Sequence, residues 1–267
     1  MSDLLAAIAA GAKPMVGMIQ LKPLPGGSRY AGESIASVLE HALREAAVLN
    51  EAGFPFLMVQ NLGDLPVARS ASSVQVAWMT RIVEEVRRAT RLPLGLNLLE
   101  NDAEAMFAIA SAAGADFVRI KVYVGAMVTA AGVESGQAYE AIRARTQWCA
   151  NNVAILADVH DRTAVPVASV GLADDVRSAF VLGGADGIVL TGRTHEETMS
   201  HLAVAREAFP VRPMIVGGGA NAANVGELMT LADAAIVSSA LKTGGDLFGE
   251  LVPEQARAFI AAAEHAC

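Results

Sequence analysis

A chain of 267 residues that is 53% hydrophobic and 18% charged, with 24 Gly and 10 Pro, has the composition of a folded domain with a large core, which excludes disordered and collagen-like classes. Lys and Arg number 20 against 28 Asp and Glu, and the net charge of −8 offers no basic face to nucleic acid or to an anionic lipid surface. Two cysteines, Cys149 and Cys267, are too few for a disulfide framework and show no paired metal-ligand spacing, so both are expected as reduced thiols of a cytoplasmic protein.

Lys13, Lys22 and frequent Asp or Arg interrupt every apolar run before it reaches the ~18 residues of a spanning helix. The acidic start Met1-Ser2-Asp3 lacks the basic region of an export signal. No membrane span is expected, and any membrane contact would be peripheral.

In chain order, short runs rich in Val, Ile and Met predict eight strands near 15–20, 55–61, 93–98, 116–122, 153–160, 187–190, 214–217 and 234–238. The segments 34–52, 73–90, 102–113, 137–151, 172–183, 195–209, 221–232 and 253–265 carry helical period, several behind a Ser, Asp or Asn cap. Eight such units in 267 residues, about 33 residues each, predict an α/β chain folded as one (β/α)8 TIM barrel over 1–267. Weak internal repetition agrees. Ala113-Gly114-Ala115-Asp116, Gly183-Gly184-Ala185-Asp186 and the looser Leu231-Ala232-Asp233 each sit just before a strand. A homo-oligomer is also expected.

Helix-to-strand connections are short, whereas the strand-to-helix loops 63–72, 124–136, 161–171 and 242–252 are long. In a barrel the latter lie at the C-terminal face, where active sites are built. Strand parity then selects side chains. In 116–122, Phe117, Arg119 and Lys121 share a face, with Tyr123 following in phase, and the apolar Val118, Ile120 and Val122 must face the helices. In 153–160 the same rule sends Asp158 and His160 into the lumen. Asn97, Gln20 and Gln60 or Asn61 end the third, first and second strands. Charged groups in a lumen are costly unless paired or used. Two outcomes stand open: an Arg119 or Lys121 ion pair with Asp158 that only fills the barrel, or a site in which Asp158 is the general base and His160 or Lys121 the acid or electrophile.

Val216-Gly217-Gly218-Gly219-Ala220-Asn221 after strand seven, with Ser238 and Ser239 after strand eight, predicts an anion site built on backbone N–H groups. Gly217, Gly218, Gly219, Ser238 and Ser239 are its candidates, with Lys242 as added charge. Asp64 on the second loop could join Asp158 and His160 around a divalent cation, although the spacing does not require one and no cofactor is otherwise expected. His41, His195, His201 and His265 read as surface or capping residues. The absence of GxxxxGK[ST], HExxH and GxSxG argues against P-loop, zincin and serine-hydrolase chemistry.

Gly17-Met18-Ile19-Gln20-Leu21-Lys22-Pro23-Leu24-Pro25-Gly26, Gln60-Asn61-Leu62-Gly63-Asp64, Pro93-Leu94-Gly95-Leu96-Asn97, Ala115-Asp116-Phe117-Val118-Arg119 and Leu156-Ala157-Asp158-Val159-His160 resemble, in order, the signatures of the BtpA/SgcQ family. The resemblance implies a phosphate-binding type of TIM barrel and carries Asn61, Asp64, Asn97, Arg119, Asp158 and His160 as matching positions. One branch of that family is described as a factor for photosystem I accumulation, and the SgcQ kind is encoded among sugar-utilisation genes. Gln20 stands where the family usually has a histidine or aromatic motif, and Lys121 where Asn is frequent.

The reading is an enzyme for a small phosphorylated or anionic sugar-like metabolite, of isomerase, epimerase or aldol-type lyase chemistry. Asn61, Asp64, Asn97, Arg119 and Gln20 would bind substrate. A non-catalytic assembly factor for a membrane complex such as photosystem I, or a nucleosidase-like hydrolase, is the alternative.

Overall fold

Each of the eight apolar runs becomes a strand of one closed parallel barrel in a computed structural model that describes residues 1–265; Cys267 lies outside the described residues. In chain order the strands are β1 (Met15–Gln20), β2 (Phe56–Gln60), β3 (Leu94–Asn97), β4 (Phe117–Ile120), β5 (Ala126–Thr129), β6 (Gly132–Ser135), β7 (Ala154–Val159), β8 (Val165–Pro166), β9 (Gly187–Leu190), β10 (Met214–Val216) and β11 (Ala234–Val237). The barrel runs β1-β2-β3-β4-β7-β9-β10-β11 and closes with Met15 of β1 against Ala235 of β11.

Around it lie α2 (Ile35–Glu51), α3 (Ser73–Thr90), α4 (Ala103–Ala113), α5 (Ala138–Gln147), α6 (Leu172–Arg177), α7 (His195–Ala208), α8 (Val225–Leu228) and α9 (Pro253–Glu264), preceded by α1 (Asp3–Ala9). Ser72 opens α3 with a reciprocal capping box to Gln75. The helix expected over 137–151 stops at Gln147, and Cys149 follows in the left-handed region at φ 54°. The helix expected over 221–232 shrinks to α8, because Asn221 and Asn224 spend their side chains on turn N–H groups and the Gly219 carbonyl.

The three repeated aspartates do one job. Asp116, Asp186 and Asp233 each accept the N–H of the first or second residue of the preceding barrel strand, Leu94, Ile155 and Met214, at 2.8, 2.8 and 2.9 Å. Each also pairs at 2.8 Å with an arginine of the helix before that strand: Arg87, Arg145 and Arg206. Strand starts that would otherwise expose unpaired backbone are thereby fixed to helix and neighbour together.

Parity holds inside the barrel. Phe117 and Leu156 join Val16, Met18, Phe56, Met58 and Ile215 in a lumen core, whereas Val118, Ile120, Ile155 and Ala157 pack in the layer between strands and helices. Tyr123 departs from that phase: β4 ends at Ile120, and the ring is buried in the helical layer with its hydroxyl donating to the Gly183 carbonyl. Unforeseen from sequence, Leu4 of α1 is fully buried against the lumen core and caps it from the strand-start end. Polar residues are thus confined to the opposite end. There β5, β6 and β8 form a small antiparallel sheet from the loops 124–136 and 161–171.

Candidate functional site

Arg119 and Asp158 meet in the lumen as parity requires. Arg119 Nε donates to Asp158 Oδ1 at 2.8 Å and Nη2 to Oδ2 at 2.7 Å, both groups being buried. Nη1 reaches the Gly217 carbonyl at 3.2 Å. A β-carbon on Gly217 would stand 2.7 Å from Arg119 Nη2 and 2.6 Å from Thr191 Oγ1, so only glycine lets the loop after β10 close on this pair. Burial raises the Asp158 carboxyl to about 6, against the pull of the Arg119 charge. The Arg119–Asp158 ion pair expected from parity forms. Both Asp158 oxygens serve Arg119 and Asp158 does not line the cavity, so in this structure it holds Arg119 in place.

The cavity above that floor measures about 340 Å³. Arg119, Lys121, Gln20, Gly217, Gly218, Gly219, Ser238 and Ser239 line it, whereas Asn61, Asp64, Asn97, Asp158 and His160 do not. Lys121 Nζ donates to Thr163 Oγ1 at 3.1 Å and lies 3.5 Å from Asp161 Oδ1. Asp161 also accepts the Thr163 N–H at 2.8 Å and the Thr163 hydroxyl. Burial alone would raise the Asp161 carboxyl, but Lys121, Thr163 and Arg119 together hold it at about 2. A carboxyl lowered in the fold stabilises above its unfolded value of ~3.9, and that stability is lost as pH falls through about 2. Wild type is therefore expected to lose roughly 2 kcal/mol more than Asp161→Asn between pH 5 and pH 2 in denaturant titrations. Equal losses would show that Asp161 is not so held.

His160 leaves this site. It adopts φ 55° immediately after β7, and its Nε2 lies 2.7 Å from Asp175 Oδ2 of α6, outside the barrel mouth. Parity ends where the strand ends, and one left-handed residue redirects the side chain. The cation site imagined from Asp64, Asp158 and His160 does not assemble either, because each has a separate partner. Among the described residues no group of three His, Cys, Asp or Glu is placed to hold a metal ion.

Asn61 and Asp64 belong to a buried network that ties the first three loops together. Asn61 Nδ2 donates to Asp64 Oδ2 at 3.0 Å and to Glu100 Oε2 at 2.8 Å, and Gln75 Nε2 donates to the same two carboxylates at 2.8 Å each. Asp64 Oδ1 accepts the Leu24 N–H at 2.7 Å. Asn97 bridges strands, accepting from Gln60 Nε2 and donating to the Arg119 carbonyl at 2.7 Å. These residues position backbone, and Glu100 is the member of the network that lines the cavity. Burial raises its carboxyl above the usual range, Asp64 adds repulsion, and the Asn61 and Gln75 amides oppose the shift.

At the glycine end, the N–H groups of Gly218, Gly219 and Ala220 and those of Ser239 and Ala240 make no hydrogen bond among the described residues. Gly219 sits at φ 79°, which lets the chain turn there. Gln20 Nε2 donates to Ser238 Oγ at 3.2 Å, while Gln20 Oε1 and Thr191 Oγ1 are buried in the wall without a partner. Arg162, exposed and without a carboxylate partner among the described residues, lines the cavity beside Gly218. Lys242 is not there. It is buried, pairing at 2.7 Å with Glu45, which also accepts the Gln20 N–H at 2.9 Å; His41, buried rather than on the surface, lies 3.1 Å from the Gln20 carbonyl. Gln20 is thus held from behind by three ionisable side chains.

Asp161, Thr163, Arg162, Thr191 and Glu100 were not picked out from the sequence. All except Glu100 follow β7 or β9 by a few positions, and the polar runs Asp161-Arg162-Thr163 and Thr191-Gly192-Arg193 are the signal that could have found them. Thr129, Ala130, Ala131 and Glu134 of the β5–β6 hairpin complete the wall.

Comparison with known proteins places this geometry in a lineage. A Thermococcus kodakarensis protein, TK2179, is 38% identical over 254 residues, covering 93% of this chain and 94% of that protein. A Synechocystis protein named photosystem I biogenesis protein BtpA is 35% identical over 252 residues, covering 93% and 87%. Among solved structures, thiamine phosphate pyrophosphorylase and N-(5'-phosphoribosyl)anthranilate isomerase, both from Pyrococcus furiosus, align with TM-scores of 0.56 at 16% identity, covering 95% of this chain and 96% and 99% of theirs, a likeness of fold. No helix among the described residues is long and apolar enough to cross a membrane. With the family model matching residues 11–265, the chain belongs to the BtpA family.

Proposed function

We propose that this protein is an enzyme acting on a small phosphorylated metabolite, by isomerisation, epimerisation or aldol-type cleavage at the barrel mouth. The observation that carries the proposal is the unmet hydrogen-bond capacity at the glycine end, where the free N–H groups of Gly218, Gly219, Ala220 and Ser239 belong to residues of one cavity wall and Arg162, unpaired among the described residues, stands beside Gly218. Amides and a guanidinium together suit a phosphate dianion. Lys121, 3.5 Å from Asp161, serves as acid or electrostatic partner for a developing oxyanion. Glu100, its carboxyl raised by burial, serves as proton acceptor on the same wall. Arg119, oriented by Asp158, adds a fixed positive charge at the floor. The fold relatives named above, a thiamine phosphate pyrophosphorylase and a phosphoribosylanthranilate isomerase, agree with such a ligand class.

Inorganic phosphate at ~100 times its dissociation constant is expected to stabilise the wild type by ~2.7 kcal/mol in a thermal-shift assay. A glutamate at Gly218 has room, its β-carbon meeting Arg162 at 3.4 Å, and would neutralise that arginine and repel the anion. Gly218→Glu is expected to lose the shift, and an undiminished shift would remove the anion site.

A non-catalytic assembly factor for a membrane complex is a second reading, favoured by the exposed Val128, Val133, Val165 and Val167 on or beside the antiparallel sheet. It predicts that Val128→Glu abolishes partner binding while Lys121→Met leaves it intact.

A further inference from the structure

Hydrogen-bonding capacity is unevenly spread through the cavity. The unsatisfied groups lie at the glycine end, in the amides of Gly218, Gly219 and Ala220, the Thr191 hydroxyl and the side-chain Oε1 of Gln20. Elsewhere most of the buried polar side chains satisfy one another, and the half-buried Glu134 on the β5–β6 hairpin is the acidic exception. Asn101 Nδ2 donates to the Val122 carbonyl at 3.1 Å and Asn101 Oδ1 accepts the Val122 N–H at 2.9 Å. Both Glu100 oxygens accept amide hydrogens from Asn61 and Gln75, and Asp161 serves Thr163 and Lys121.

Much of the remaining wall is aliphatic. Leu65, Val67, Leu99 and Leu247 come from the loops after β2, β3 and β11, and each is only half buried. Apolar faces from three separate loops therefore surround one concavity with nothing packed on them, which is the surface an apolar ligand group covers.

Resting on the reading that the glycine end takes a phosphate, we propose that the ligand is a phosphomonoester with an apolar body, such as an aromatic or heteroaromatic ring, rather than a bare sugar phosphate. A ring on the aliphatic wall gains from each patch it removes from water. Sugar hydroxyls placed there would give up water for groups whose hydrogen bonds are already made. A tenfold preference, about 1.4 kcal/mol, needs only ~55 Å² of additional apolar burial at ~25 cal/mol per Å².

Calorimetric titration of the full chain with inorganic phosphate, ribose 5-phosphate and phenyl phosphate tests this. Phenyl phosphate is expected to bind at least tenfold more tightly than ribose 5-phosphate. The Val67→Asn and Leu247→Asn substitutions, both at half-exposed loop positions, are expected to abolish that preference and leave the affinity for inorganic phosphate unchanged. Equal or tighter binding of ribose 5-phosphate, or a preference that survives both substitutions, overturns the apolar body. In either case loss of all binding in Gly218→Glu would leave the phosphate site standing. Binding of none of the three overturns the phosphate site and this inference with it.

Discussion

Asp158→Asn is expected to lower the melting temperature by on the order of 10 °C, because it removes the carboxylate that compensates a buried guanidinium at a cost of ~3–5 kcal/mol. Arg119 has no second carboxylate on its Nε and Nη2 atoms, which both face Asp158. The pair is not there for stability alone. Burial raises the Asp158 carboxyl to about 6, so this group favours folding below ~4 and that contribution is lost as pH rises through about 6. At neutral pH the ion pair is a cost that a well-packed apolar pair would avoid. The double variant Arg119→Met with Asp158→Leu is accordingly expected to melt within a few degrees of wild type, yet to bind phosphate esters more weakly. A stable Asp158→Asn single variant would contradict the pairing.

Lys121→Met carries the largest expected effect on chemistry. It keeps most of the aliphatic stem and removes the ammonium, so a general acid or oxyanion partner should be lost at a cost of ~10²–10⁴ in rate. The three proposed reaction classes all move a proton or a carbon next to a carbonyl. Exchange of that hydrogen in D2O, followed by NMR on a panel of phosphorylated ketones and aldehydes, therefore reads the step directly. Lys121 is partly exposed, with 26% of its side chain accessible, so the variant should fold. Exchange at the wild-type rate in Lys121→Met would remove this lysine from the chemistry.

The barrel was legible because its signals are local and repeated. Short apolar runs rich in Val, Ile and Met located all eight strands, with β1 and β9 bounded as expected, and the aspartates of the repeated motif turn out to share one clamp. Parity likewise found Arg119 and Asp158, because a strand's side chains alternate by geometry, and Lys121, one residue past β4, still lines the cavity. It failed at His160 and Tyr123, both just past a strand end, where a backbone turn rather than a pleat sets direction. The glycine and serine loops were recognisable from their place after the last two strands. The roles of Asp64 and Asn61 were not, since their partners Gln75 and Glu100 arrive from α3 and from the loop after β3. Arg162 and Thr191 were missed for the same reason: their neighbour Gly218 is distant in sequence. Helix α1 is short, and what identifies it is the open lumen end it covers, visible only once the strands close.

The most direct measurement of the central claim, that the glycine end of the cavity is an anion site, is a crystal structure of the protein soaked in phosphate. The account predicts a phosphate between Gly218, Gly219 and Ala220 on one side and Ser239 and Ala240 on the other, within reach of Arg162. Phosphate density elsewhere on the molecule with this end of the cavity empty would contradict it.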